Sequence, residues 1–196
     1  MKRFLAIALC LVSCQVDSGH LSEANDYFVE YLLTHEIAYL DSSYQYLRSE
    51  GYLNGEKLDH QNIDLITSVL LYTKKYDELE GLLKADNKLE GYKKDFTLNL
   101  TLALKTYKED SVESRGYILA NLKMVKNEIA SNPHDSVLWV NYFATRIYLD
   151  GKEQTIQEVD SLKSISKTFS DSFYENTLID FIEEYPKELM FDKIEY

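Results

Sequence analysis

The chain's only thiols are Cys10 and Cys14, and a thiolate is the side-chain nucleophile most readily alkylated or acylated. Cys10 lies inside the uncharged apolar run 4–12, whereas Cys14 follows that run directly after the small Ser13. Other chemistry is harder to assemble. His20, His35, His60 and His134 are scattered, and none has a metal-binding partner four residues on, the spacing that sets two ligands on one helical face. No His-Glu-x-x-His, Gly-x-Ser-x-Gly, glycine-rich phosphate loop or cysteine pair occurs. Asp86, Glu90 and Gly91 outline a calcium loop, but Lys88 replaces a ligand and Thr97 stands where the bidentate glutamate belongs. Glu23, Asp26 and Glu30 line one helical stripe and Glu183-Glu184 form another acidic spot; such stripes are ordinarily solvated faces. The residue pattern therefore calls for no catalytic residue, metal ligand or cofactor, and a non-enzymatic role is expected.

The elements around Cys14 give its chemistry a setting. Lys2 and Arg3 precede the apolar run, which is too short for a bilayer-spanning helix of about 20 residues. Together they read as the charged and apolar regions of a cleaved export signal. Leu11-Val12-Ser13-Cys14 then resembles the lipobox of bacterial lipoproteins. That resemblance implies diacylglycerol on the Cys14 thiol, cleavage before Cys14 and acylation of the new amine. It divides the chain into a signal peptide (1–13), a lipidated tether (14–21) and a single α-helical repeat-like domain (22–196). Two or more acyl chains hold a protein durably, whereas one gives only reversible binding. Gln15 follows the cysteine, where aspartate would imply inner-membrane retention. An outer-membrane anchor facing the periplasm is expected.

Without residues 1–13, which hold two basic side chains and no acidic one, 19 basic and 33 acidic side chains remain, a net charge of −14. Nucleic acid and anionic headgroups are disfavoured partners, because binding them rests on Lys and Arg. A basic protein or peptide fits better, since opposite fields speed encounter and suppress wrong partners. The plainer account is an acidic surface that keeps the domain in solution. With Cys10 removed and Cys14 lipidated no disulfide is available, so an apolar core must stabilise the domain.

Only 7 Gly and 2 Pro interrupt 196 residues, and apolar residues recur at helical spacing almost throughout. Ser22 is placed to cap a first helix in which Tyr27, Phe28, Tyr31 and Leu32 share a face, with a break near His35 and a loop over 51–55. Three antiparallel pairs are predicted next: 62–72 with 76–83, 94–107 with 111–129, and 135–148 with 153–169. A last helix over 172–185 stops before Pro186. Phe96, Leu98, Leu100, Leu102 and Leu104 alternate like a strand, yet Phe96, Leu100, Ala103, Leu104 and Tyr107 satisfy helical spacing, and Leu and Ala favour helix.

Tyr72, Tyr107 and Tyr148 each close the first helix of a pair and lie 35 and 41 residues apart, with charged or glycine-containing turns after them. Trp139 and Asn132-Pro133 add to the pattern, which resembles the tetratricopeptide repeat over about residues 60–170. The small residues that let paired helices approach are mostly replaced, as at Leu79 and Phe143. The expected fold is all-α, with antiparallel pairs stacked as a short right-handed superhelix; an irregular helical bundle is the alternative. The resemblance implies that first helices line a concave face, so Tyr72, Tyr107 and Tyr148 are candidate partner-binding residues, or else wedges between repeats. Tyrosine, present 16 times, couples apolar area to a polar tip and suits recognition. The expected role is a membrane-anchored adaptor for a basic protein or peptide; the alternative is an immunity protein neutralising a basic secreted toxin.

Overall fold

Helix-favouring residues and well-placed turn signals carry through to the structure. The computed structural model describes residues 21–54, 62–85, 91–166, 168–186 and 189, and these are helices and connections with no strand among them. The expectation of an all-α fold is met. The helices are α1 (Ser22–Thr34), α2 (Ile37–Ser49), α3 (Ile63–Tyr72), α4 (Tyr76–Ala85), α5 (Tyr92–Thr106), α6 (Ser111–Ser131) and α7 (Ser136–Ile165). A short 3-10 turn, Tyr52–Asn54, follows α2. The chain ends in α8 (Asp171–Phe173), a π segment (Tyr174–Ile179) and α9 (Asp180–Glu183). Contacts divide the chain into two compact units, the first ending at Lys105 and the second beginning at Thr106. The division falls at the end of α5, inside the second of the three pairs drawn from spacing.

In the first unit, α1 stops where expected. His35 adopts the left-handed conformation (φ 58°) and its N–H donates to Tyr31 O at 2.7 Å, a helix-ending bond. Ser22 is the first helical residue and not the cap; Leu21 holds the cap position without a side-chain bond. Ala24 and Ser43 are both fully buried, and Ser43 Oγ donates to Ala24 O at 2.8 Å. Small residues thus let α1 and α2 approach closely, in a pair outside the segment that carries the repeat resemblance.

α3 is the centre of this unit. Ile63, Leu65, Ile66, Val69, Leu70 and Leu71 are all at most 3% exposed, so apolar side chains are enclosed around the helix and not along one stripe, with Asp64 alone reaching the surface. It ends in a Schellman motif: Lys74 takes φ 58°, Lys74 N–H donates to Leu71 O and Lys75 N–H to Leu70 O. The predicted Lys74-Lys75 turn therefore rests on a defined bond pattern. α4 is tied to α2 by Tyr44, whose hydroxyl donates to Glu78 at 2.8 Å while Lys75 sits over its ring. α5 is joined to its neighbours by ions: Lys93 to Asp64, and Lys105 to Asp77 (2.6 Å) and Glu80 (2.8 Å). Its Phe96, Leu98, Leu100 and Leu102 are half-buried, and the strand-like alternation resolves as helix.

The second unit begins with two well-capped helices. Asp110 accepts from Val112 N–H (3.0 Å) and Glu113 N–H (2.9 Å), and Asp135 from Val137 N–H (2.9 Å). Gly151, at φ 80° and ψ 169°, breaks α7 into two arms, as the Asp150-Gly151 turn predicts. Tyr142 and Arg146 on the first arm both reach Glu158 on the second, so the arms fold back on each other. Trp139 is half-buried, with Nε1 donating to Pro133 O at 2.9 Å and its ring against Phe143 and Phe169. Tyr174, Leu178, Phe181 and Ile182 of the terminal helical run are buried. Lys152 Nζ donates to Glu183 O (2.8 Å) and Tyr185 O (3.0 Å), a cation placed at a helix C-terminus.

Candidate functional site

The three tyrosines singled out by spacing have different surroundings. Tyr72, in the first unit, is 7% exposed and meets Phe28 and Tyr31 edge-on, with ring centroids 5.5 and 5.6 Å away. Tyr148, in the second, is also 7% exposed; its hydroxyl lies 3.0 Å from Tyr185 Oη and donates to Leu189 O at 2.6 Å. Rings so enclosed offer almost no area to a ligand, so Tyr72 and Tyr148 serve packing within their own units. Tyr107, just past α5, is half-buried. Burial pushes the Tyr185 phenol up to about 12, opposed by its bond with Tyr148. The lipidation candidate Cys14 lies outside the described residues.

Paired carboxylates do meet in the second unit, but around a cation. Arg146 Nη2 is 2.8 Å from Asp150 Oδ2, and Arg146 Nε is 2.9 Å from Glu158 Oε2. The latter approach is off the N–H direction, so it is an ion pair without a well-aimed hydrogen bond. Glu158 also accepts from Tyr142, whose phenol is raised well above its ordinary range by burial first and by Glu158 second. Carboxylates engaged by an arginine across the two arms of α7 hold that hairpin together. Among the described residues no group of His, Cys, Asp and Glu is assembled to hold a metal ion.

The feature with the character of a recognition surface is on α1 and the start of α2. Residues 21–47 contain Glu23, Asp26, Glu30, Glu36 and Asp41, all exposed, and no Lys or Arg. Beside the carboxylates run Val29 (38% exposed), Leu33 (54%) and Ile37 (68%), spaced at four-residue intervals. Burying Phe28, Tyr31 and Ala24 inward turns Val29 and Leu33 outward, since the position after Phe28 lies 100° around the helix. The sequence carries a signal for this surface in an apolar series displaced from the Phe28–Tyr31 stripe. Spacing alone identifies the acidic stripe and misses its apolar companion.

No helix among the described residues is long and apolar enough to cross a membrane. No protein family, curated protein or solved structure matches the chain, so its functional reading stands on its own residues.

Proposed function

We propose that this chain is a bacterial envelope lipoprotein, anchored through acylated Cys14 to the outer membrane and facing the periplasm, whose helical domain binds a basic protein or peptide. The observation that carries the binding half is the uninterrupted acidity of residues 21–47: five exposed carboxylates in a segment that holds no Lys or Arg. Such a surface draws in a cationic partner and repels anionic ones. The Leu11-Val12-Ser13-Cys14 motif carries the anchoring half. The tetratricopeptide-like arrangement belongs to the same proposal, supported by the order of the helices and by turns at Lys74-Lys75 and Asp150-Gly151. A toxin-neutralising role uses the same acidic surface, and a neighbouring toxin gene would favour it over an adaptor role.

Metabolic labelling with a palmitate analogue tests the anchor. The natural chain is expected in the membrane fraction with label, and Cys14→Ser in the soluble fraction without it. Undiminished labelling of Cys14→Ser would sink the lipoprotein reading. Pull-down of the tagged, lipidated chain from its own envelope tests the partner, with on-rates then measured across salt. A cationic partner whose association slows steeply as salt rises is expected. An acidic partner indifferent to salt would reject the charge-based reading.

A further inference from the structure

The exposed apolar series on α1 and α2 narrows what a partner must bring. We infer that Val29, Leu33 and Ile37 form a docking ridge for a basic amphipathic helix of the partner protein, an inference that rests on the proposed binding role. Val29 and Leu33 lie one helical turn apart on the same flank of α1. Ile37 opens α2 two residues past the left-handed break at His35, close in sequence to Leu33 at the end of α1. Their exposures of 38, 54 and 68% rise toward that break, so the ridge is most open at the α1–α2 junction. Asp26 and Glu30 border it on α1, Glu36 adjoins Ile37, and no cation lies between residues 21 and 47. An apolar strip with acid along its margin is the complement of a helix carrying apolar residues on one face and Lys or Arg at the edges. Burial of the apolar strip holds the complex, and the charges set orientation and encounter rate.

The charge decides among other occupants. An anionic membrane surface would be repelled by the same five carboxylates. A second copy laid symmetrically on this face would set acid against acid. A partner bearing the opposite charge removes both conflicts.

A defined probe tests the ridge: a fluorescent Leu/Lys amphipathic peptide of roughly 18 residues, five helical turns, titrated by anisotropy into the purified full chain. Peptides with Ser replacing every Leu, or Glu replacing every Lys, are the controls. The Leu/Lys peptide is expected to bind, with the Ser/Lys peptide about tenfold weaker or worse and the Leu/Glu peptide silent. Leu33→Ser combined with Ile37→Ser should weaken Leu/Lys binding about tenfold. Val112→Ser with Ile165→Ser, more exposed than the ridge pair and placed elsewhere in the sequence, should leave it unchanged. Melting curves confirm that both double variants are folded.

Leu/Lys binding that survives Leu33→Ser with Ile37→Ser yet weakens with salt would overturn the ridge and leave the acidic-surface reading standing. No binding to any form would overturn both. Vesicles of phosphatidylglycerol captured by the natural chain and lost on the Leu33/Ile37 double variant would assign the ridge to lipid, against the inference. Concentration-dependent dimerisation lost on that variant would assign it to a second copy and would equally overturn the inference.

Discussion

Removing a single oxygen atom from each of two buried tyrosines in the second unit should have opposite effects. Tyr148 and Tyr174 are both enclosed, at 7% and 1% exposure. The Tyr148 hydroxyl lies 3.0 Å from that of Tyr185 and donates to Leu189 O, whereas the Tyr174 hydroxyl has no hydrogen-bond partner among the described residues. Tyr148→Phe strips a partner from two groups that remain buried, so about 1–3 kcal/mol should be lost. Tyr174→Phe removes a hydroxyl that gave up water without replacement, so the change should be neutral to stabilising by about 1–2 kcal/mol. Urea unfolding followed by Trp139 fluorescence reads the right unit, because that ring packs on Phe143 and Phe169 of the same unit. With a slope of about 1–2 kcal/mol per molar urea, the two midpoints should separate by about 0.5 M or more, on opposite sides of the parent or with Tyr174→Phe level with it. Equal destabilisation by both substitutions would refute the reasoning, since it would mean that ring packing alone decides and the hydrogen-bond inventory does not.

Other expectations follow from single elements. The Tyr185 phenol is raised in the folded chain from 10.0 to about 12, so the unfolded chain releases this proton first. Its contribution is intact below pH 10 and is lost as pH rises from 10 to 12, up to about 3 kcal/mol by linkage. Tyr185→Phe should flatten that alkaline slope in urea titrations between those limits. Lys74→Gly should stabilise by about 0.5–1 kcal/mol, because glycine meets no steric penalty at φ 58°. Gly151→Ala should cost about 1–3 kcal/mol from backbone strain alone, since nothing lies within 4 Å of the added carbon; thermal melts of both variants check the pair. Asp135→Ala should cost about 1 kcal/mol through the lost bonds to Val137 and Leu138 N–H, measured by the same melts.

Local signals in the sequence are legible wherever one residue's backbone chemistry decides the outcome. The break at His35, the Lys74-Lys75 turn and the Gly151 kink all occur where expected. The Phe96–Leu104 alternation yields to helix because its leucines and alanine satisfy both periods while favouring only one. Features decided by the company a helix keeps are less legible. Ile63, Ile66, Val69 and Leu70 define one face of α3, but periodicity has no means of showing that Leu65 and Leu71 are enclosed from the other sides. Tyr72 and Tyr148 end their helices at repeat-like spacing, yet only tertiary packing reveals that both rings are interior. The Val29–Leu33–Ile37 ridge is hidden for the converse reason: an apolar series reads as core until the core is seen to lie elsewhere.

The enclosure of α3 also sets how the first unit comes apart. A helix buried at every residue but Asp64 has no partial opening over its later turns that leaves its neighbours in place, so the slowest-exchanging amides should fall within Ile66–Tyr72 and report loss of the whole unit. α5 is in a different position, because Lys93 and Lys105, which join it to α3 and α4, are themselves exposed and open to screening. Added salt should therefore speed amide exchange in α5 while leaving α3 nearly unchanged. One small fold thus contains a permanent centre and an edge whose hold varies with the ionic strength around it.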